Sequence, residues 1–285
     1  FNIIKKEDIM INPRGAFHLT DGRGEKGIVL PYKYNEFKKH PDFRSVYPQI
    51  KALLEDKNNI VAGHATCNDV NYLNLETKRF NLPSFNFRFS DTQLIYMTKT
   101  GGFARQFGLE YITKDMNIEF TPHRAADDAY ATMRIAQEFC KAENCTFEEL
   151  EKALKITRGS LENYRITKPR SQGSVDYIAK MRKEKEERSR VRREFYIYLS
   201  RKKKKSEGAL SGKKFNFSRC IEDNLTLSQS LIDGIYLRGG VYTQRLADSN
   251  VYVTVPDDST TRTRNAKNTE GLEILTVDEL QELLK

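Results

Sequence analysis

The sequence predicts an α/β fold from the order of its apolar patterns, and its composition excludes a membrane span. Short apolar runs of strand length alternate with segments whose apolar residues recur at helical spacing, the order expected when helices cover a sheet. No stretch approaches the roughly 18 apolar residues of a membrane span. The 285-residue length favours about two domains, and the 31% of charged residues, against a typical value of about 25%, indicates a soluble, highly charged protein.

The first block, to about residue 164, alternates predicted strands and helices. Strands are predicted at Ile3–Asn12, Gly27–Pro31 and Asn59–Gly63. Helices are predicted at Asp42–Leu54, Asp69–Phe80, Phe103–Met116, Ala125–Glu143 and Thr146–Leu154. Asp91–Met97 is compatible with a strand end or a helix start. The last helix begins with a capping-box pattern, Thr146 followed three residues later by Glu149.

A strongly basic segment follows. Between Lys168 and Arg219 the chain has 18 basic and 6 acidic residues, and a concentrated positive charge favours a polyanion such as nucleic acid. Tyr177–Arg193 is predicted as an exposed helix, and Ser206–Gly212 as a linker. The run of five consecutive cations is expected to contact backbone phosphates, although charge runs also occur as solvated faces. Those cations are Arg201, Lys202, Lys203, Lys204 and Lys205.

Three aromatic residues lie between the predicted exposed helix and the run of cations, and their role stays open. Phe195, Tyr196 and Tyr198 either stack on bases or pack the helix onto a core.

The last block has the order β-α-β-α-β-α of a small α/β domain. Five of these elements have assigned residues: strands at Lys214–Phe217, Val251–Val255 and Glu273–Leu275, and helices at Leu225–Asp233 and Thr276–Leu284. The last helix has Thr276 as N-cap and Glu279 three residues later. We therefore predict three parts: a first domain at 1–165, a basic helical connector and linker at 166–212, and a second domain at 213–285.

The cysteines indicate neither a zinc site nor a disulfide framework. Cys67, Cys140, Cys145 and Cys220 are scattered, and no two of them form a C-x-x-C pair. Free thiols and a cytoplasmic location are the expectation.

Two short segments of the first block bring together residues that suit chemistry. An apolar strand runs through Gly63 and His64 into a helix whose first turn presents Asp69. Further along, His123 precedes a helix that has Asp128 in its first turn. Carboxylates at helix starts are favoured by the helix dipole, and α/β sheets build sites at the carboxyl ends of their strands. Each aspartate alone is equally compatible with a simple capping role.

These two segments resemble motifs II and III of the DEDDh 3′→5′ exonucleases, most closely the epsilon-type proofreading exonuclease of bacterial DNA polymerase III. Motif II corresponds to Gly63–Leu73 and motif III to His123–Ala129, and Met10–Pro13 and Asp91-Thr92 resemble further stretches of that family. The resemblance covers about residues 3–145 and implies a ribonuclease H-like fold. Motif II departs from the family pattern, because Ala65 and Asn68 replace the usual Asn and aromatic residue.

The resemblance implies a site and a reaction. The family hydrolyses phosphodiester bonds with two divalent ions, Mg²⁺ or Mn²⁺, held by four carboxylates. Asp128 would bind metal directly, Asp69 would serve the second metal, and His123 would be the general base. His64 would contact nucleic acid. The implied substrate is a single-stranded or frayed DNA 3′ end in DNA replication or repair.

One motif of the family is missing from this sequence. Its Asp-x-Glu on the first strand has no counterpart before Asp69, since Glu7-Asp8 lacks the spacing and Asp21-Gly22 lies in a predicted loop. Because the chain starts at Phe1 rather than Met, we expect an N-terminally incomplete, weakly active exonuclease. The alternative is a non-catalytic nucleic-acid-binding or tethering protein that has lost this motif. An RNA exonuclease is a third reading.

The last block resembles a BRCT domain. The resemblance depends on Phe215–Ser218, Gly239-Gly240, Val251–Val255 and the ending Ile274–Leu284, although the family's Trp is absent. It implies binding to replication or repair proteins, and a phosphate site at Ser218 and Lys267. A solvated Ser and a surface Lys are the plain alternative for these two positions.

Overall fold

The computed structural model describes residues 2–15, 34–121, 124–203 and 207–285. The chain forms two compact units, Phe1–Ile178 and Ala179–Lys285, and both are mixed α/β. None of the helices in the described ranges has the length and apolar character that crossing a lipid bilayer requires. The domain boundaries at 165 and 212 stay predictions.

The first unit contains a four-stranded sheet, a two-stranded antiparallel sheet and seven complete helices within its described residues. Its helices are α1 Tyr34–Phe37, α2 Phe43–Glu55, α3 Cys67–Arg79, α4 Thr92–Thr100, α5 Leu109–Asp115, α6 Ala125–Glu143 and α7 Phe147–Ala153. Its strands are β1 Val61–Gly63, β2 Phe87–Asp91, β3 Ile156–Thr157, β4 Gly159–Glu162, β5 Arg165–Thr167 and β6 Arg170–Ser171. Helix α8, Gln172–Ser200, begins in this unit and ends in the second.

The four-stranded sheet of the first unit has the strand order β1-β2-β4-β5, and β3 and β6 form the two-stranded sheet. Strands β1 and β2 are parallel, with Gly63 opposite Asp91, and the remaining pairs are antiparallel. The carboxyl ends of β1 and β2 therefore meet at one edge, where α3 and α4 begin. Residues that start these two helices are brought together by that geometry.

Two apolar clusters hold the first unit together. Phe85 and Phe89 are completely buried in one cluster, and Ile95, Ile112 and Ile135 in the other. The second cluster packs α4, α5 and α6 against each other, so the helix that carries Asp128 has a buried side along its length.

Several predicted elements of the first unit are confirmed. The helix Ala125–Glu143 has the predicted bounds, and Thr146 and Glu149 form the predicted capping box. Asp91–Met97 contains both a strand end and a helix start, because β2 ends at Asp91 and α4 begins at the next residue.

Other predicted elements are wrong. Residues 2–11 form no strand, and at the end of the predicted strand Asn12 makes an isolated bridge to Asp42. The predicted helix Phe103–Met116 shortens to α5, because the segment around Gly101-Gly102 is irregular and Gly108 is the N-cap. The predicted strand Gly27–Pro31 lies outside the described residues.

The second unit is a four-stranded sheet with helices. Its strands are β7 Lys214–Phe217, β8 Val241–Tyr242, β9 Val251–Thr254 and β10 Glu273–Thr276. Its further helices are α9 Arg219–Glu222, α10 Leu225–Leu237, α11 Thr261–Lys267 and α12 Val277–Leu283. All three strand pairings are parallel, in the order β10-β9-β7-β8. The capping-box pattern of Thr276 and Glu279 is confirmed.

The core of the second unit extends beyond the sheet. Phe195 of α8 is completely buried in it, so this aromatic residue packs the helix onto the core. Leu210, in the segment predicted as a linker, is buried in the same core, and its backbone N–H donates to the carbonyl oxygen of Arg238 at 2.8 Å.

Candidate functional site

An open cavity of about 1090 Å³ lies in the first unit, beside the carboxyl end of β1. Strand β1 and helices α3, α5 and α6 contribute most of its lining. Its polar lining includes His64, Asp69, Glu110 and Asp128. Two of the predicted metal-binding carboxylates, from segments almost 60 residues apart in sequence, therefore share one cavity.

Asp69 is positioned by the tight turn between β1 and α3. A Cβ atom added at Gly63 would lie 2.8 Å from the Thr66 hydroxyl oxygen, so the turn needs glycine there. Ala65 has a left-handed backbone with φ of 52°, which is unfavourable for a residue with a Cβ. Helix α3 follows, with Asp69 in its first turn.

The surroundings of Asp69 raise its pKa. Desolvation is the largest cause, and the negative charges of Asp91 and Asp128 add to it. Asp69 is thus near enough to Asp91 and to Asp128 to be repelled by both. A divalent cation is the ligand that would relieve such repulsion, since hard oxygen ligands suit Mg²⁺ and Mn²⁺.

Asp127 and Asp128 are adjacent in α6 but have different surroundings. Asp128 lines the cavity. Asp127 accepts a hydrogen bond from Lys6 at 2.6 Å and lies 3.6 Å from Arg124, and the bond from Lys6 is the main reason that its pKa is lowered. Asp128 is therefore a carboxylate of the cavity, whereas Asp127 takes part in ion pairs.

The sequence did not predict what holds the start of α6. The backbone N–H of Ala126 donates to the carboxylate of Asp8 at 2.8 Å, and Arg124 lies 3.6 Å from the same carboxylate. Asp8 thus satisfies one of the free N–H groups at the helix start, two residues before Asp128. A contact of this range leaves no signal in local sequence patterns.

Asp91 is a third carboxylate near the cavity, with a different role. It is buried and accepts backbone N–H bonds from Ala65 at 3.0 Å, Thr66 at 3.1 Å and Gln93 at 2.9 Å. Burial nonetheless raises its pKa, against the opposing effect of these bonds. Asp91 therefore fastens the strained turn before α3 to the start of α4. The sequence showed Asp91-Thr92 as part of the family resemblance but not this contact.

His64 lines the cavity with both ring nitrogens engaged. Nε2 lies 2.9 Å from the carbonyl oxygen of Phe107, and Nδ1 lies 3.2 Å from the Thr92 hydroxyl. Burial lowers the pKa of His64, so its neutral form is favoured. In this arrangement His64 ties β1 to the segment before α5, and its contact with nucleic acid stays a prediction.

The remaining predicted residues are placed as follows. His123, Lys204 and Lys205 lie outside the described residues. Arg201 and Lys203 are exposed. The sequence treats the five cations as equivalent, but Lys202 is held by a salt bridge to Asp233.

The two residues of the predicted phosphate site, Ser218 and Lys267, differ in their exposure to solvent. Ser218 follows β7 and is completely buried. Lys267 is exposed at the end of α11. A phosphate role for this pair stays a prediction.

The described residues do not make a complete two-metal site. Among them there is no group of three or more His, Cys, Asp or Glu side chains that could hold a metal ion. Both Asp91 oxygens accept backbone N–H bonds, which leaves Asp69 and Asp128 as the candidate ligands. Two carboxylates are too few for a pair of Mg²⁺ ions with the usual oxygen ligands.

Comparison with known families gives one match, over the region that forms this cavity. Residues 32–136 match the model of the RNase_T family, described as exonuclease. The match includes Asp69, Asp91 and Asp128 and supports a DEDD-type exonuclease, and the mixed α/β first unit is consistent with a ribonuclease H-like fold. It indicates a nuclease, and hence a nucleic acid as substrate. The comparisons with curated proteins and with solved structures found no match.

Proposed function

We propose that the first unit is the major part of a metal-dependent 3′→5′ exonuclease of DNA, of the epsilon proofreading type. The observation that carries the proposal is the shared cavity of Asp69 and Asp128, inside the region that matches an exonuclease family. The raised pKa of Asp69 supports it, because a carboxylate that is desolvated by burial and lies near two other negative charges favours a cation.

The roles proposed for individual residues follow the family resemblance. Asp128 binds a metal ion directly, Asp69 serves a second ion, and His123 takes the proton of the attacking water. Mg²⁺ or Mn²⁺ supplies the activation of water and the stabilisation of the leaving oxygen.

The second unit is proposed to be a BRCT-like module that binds replication or repair proteins. Its small parallel sheet, with β7 and β9 in the middle and helices between the strands, supports this proposal.

One observation favours a second candidate function. Since no group of three metal-binding side chains occurs among the described residues, a non-catalytic protein that binds nucleic acid through the same unit is the alternative. The two candidates differ in a single property, metal-dependent shortening of a 3′ end.

The test uses the full chain and two neighbouring variants. Single-stranded and 3′-recessed DNA labelled at the 5′ end is incubated with Mg²⁺ or Mn²⁺, and product length is followed on a gel. We expect slow 3′ shortening that needs the metal, that Asp128→Asn abolishes and that Asp127→Asn leaves within about threefold, because only Asp128 lines the cavity.

Other outcomes contradict the exonuclease. Shortening that persists in Asp128→Asn comes from another site or a contaminant. Salt-sensitive binding of DNA with no shortening by any form of the chain supports the binding protein.

A further inference from the structure

The part of helix α8 that belongs to the second unit has a fixed orientation against the core. The Phe195 ring lies 5.4 Å from that of Tyr242 and 6.4 Å from that of Phe217, between centroids. Arg192 donates two hydrogen bonds to Asp223, at 2.6 and 3.0 Å. Because these contacts set the rotation of the helix, residues about half a turn away face outward.

The outward face carries a row of cations, which we call the outer stripe. It consists of Arg182, Lys183, Arg190, Arg193 and, just after the helix, Arg201, all of which are exposed. Glu186 is the acidic residue of this face. At about 1.5 Å per residue the stripe extends over about 28 Å.

The cations of the outer stripe have few acidic partners. Arg190 is bonded to Glu187 at 2.6 Å. For the other four, the described part of the chain shows no carboxylate within the 4 Å of an ion pair. Lys202 differs, since it pairs with Asp233 and lies 4.3 Å from the centre of the Tyr198 ring. Four of the five cations of the outer stripe are therefore available to a polyanion, whereas Arg190 is paired with Glu187 and Lys202 with Asp233.

A shallow groove runs beside the outer stripe. Its volume is about 560 Å³, and it is lined by Ser189, Arg192, Arg193, Tyr196, Ile197 and Ser200. Ile197 is 46% exposed. The groove thus offers the half-buried Tyr196 ring, one side of which packs against the core, and the apolar Ile197 next to the unpaired Arg193 guanidinium. This combination suits a base or sugar beside a phosphate.

We propose that the outer stripe is a second binding surface for single-stranded nucleic acid, which contacts the sugar–phosphate backbone while the groove takes a base. Charge complementarity identifies the occupant. A membrane surface is disfavoured because an interfacial helix needs a broad apolar face, and this face exposes Ile197 among charged residues. This proposal rests on the proposed function in one respect only, the identification of the bound polymer as a nucleic acid.

The test measures binding without hydrolysis. The full chain is titrated against fluorescein-labelled 30-nucleotide poly(dT) in EDTA, at several NaCl concentrations, and anisotropy gives the affinity. The triple variant Arg182→Gln, Arg193→Gln, Arg201→Gln is expected to bind at least tenfold more weakly at 100 mM NaCl. Its slope of log K against log salt is expected to fall by about 2, since each phosphate contact on a single strand contributes about 0.7.

A matched control lies on the other faces of the same helix. The triple variant Lys180→Gln, Lys185→Gln, Arg188→Gln removes the same charge and is expected to keep the affinity within twofold. Equal weakening in both variants means general attraction, and unchanged binding in both means that this face does not bind; either result overturns the proposal. Binding to phosphatidylserine vesicles through the outer stripe, without binding to poly(dT), overturns it as well.

This test is independent of the nuclease. Because no metal is present, a failure of the exonuclease proposal leaves the binding result intact. Far-UV circular dichroism and thermal unfolding of both triple variants check that the core around Phe195 is preserved, as expected for exposed positions.

Discussion

Two carboxylates, one in each unit of this protein, have opposite surroundings. In the second unit Glu222 is completely buried, and it pairs with Arg219 at 2.5 Å and Arg262 at 2.9 Å and accepts from the Tyr242 hydroxyl at 2.5 Å. In the first unit, Asp69 lies at a cavity where burial, and after it the negative charges of Asp91 and Asp128, raise its pKa. A buried charge surrounded by opposite charges belongs to the fold, whereas like charges left together at a cavity point to a ligand.

The largest effect is expected from breaking the compensated network. Glu222→Gln leaves two guanidinium groups without their carboxylate, and the Arg262 side chain is only 15% exposed. We expect the second unit to lose about 3 kcal/mol of stability, measured by urea unfolding followed by circular dichroism. The burial of Tyr242, whose pKa is raised by desolvation and by the charge of Glu222, offers a second readout in its absorbance titration.

An exposed ion pair supplies the control for this prediction. Lys213 and Glu273 lie 2.9 Å apart with side chains 38% and 43% exposed, so Glu273→Gln should cost less than about 0.5 kcal/mol. Equal losses of stability in the two variants would show that the buried network around Glu222 stabilises the second unit no more than an exposed ion pair does.

A smaller loss is expected at the turn of the first unit. Asp91→Asn places an NH₂ group against at least one of the backbone N–H groups that Asp91 accepts, and we expect a loss of about 2 kcal/mol. Because the turn positions Asp69, Mn²⁺ should also stabilise the variant less than the parent chain in a thermal shift assay. Asp56→Asn, at an exposed turn where Asp56 accepts from the backbone of Asn58, should change neither quantity.

The smallest effect has the opposite sign. In the unfolded chain the pKa of Asp69 is 3.8, and in the folded chain it is higher. The stability of the folded state therefore falls as the pH rises from 3.8 through the pKa of Asp69 in the folded chain. Asp69→Asn removes that penalty. At pH 7 without metal we expect a Tm higher by about 1–2 °C, and the gain should vanish as the pH falls to 3.8.

The response to metal sharpens the same test. In the parent chain Mn²⁺ should raise the Tm at pH 7 more than at pH 5, since protons compete for a carboxylate of raised pKa, and Asp69→Asn should weaken this response. A variant that is less stable without metal at pH 7 would mean that Asp69 is a structural carboxylate like Glu222.

How much of the molecule the sequence predicts depends on the range of the contacts. Helix α6 and both capping boxes follow from local spacing, and they are found where predicted. The strands β3 to β6 between residues 156 and 171 are two to four residues long, too short for a hydrophobic pattern to indicate. The predicted strand Ile3–Asn12 is absent. Lys6 and Asp8 of this segment contact the start of helix α6 instead, and sequence periodicity does not encode such contacts.

The candidate site shows the same division. Asp69 and Asp128 were selected by their places at helix starts and by resemblance, and the structure brings both to one cavity. Asp91 was part of the resemblance without a role, because its three N–H partners are recognisable only once two strand ends adjoin. The difference between Asp127 and Asp128 depends on Lys6, over 120 residues away, and neighbouring aspartates look alike in sequence.

The bond between Asp8 and the start of α6 has a consequence for how the site is assembled. It closes a loop of 118 residues, and contacts of such separation carry a large entropy cost before they form. Folding should therefore fix β1, β2 and the packing of α4 to α6 first, and settle the end of α6 that carries Asp128 afterwards. The position of the Asp128 carboxylate therefore depends on residues near the start of the chain. A substitution of Asp8 is expected to displace Asp128 although Asp8 does not line the cavity.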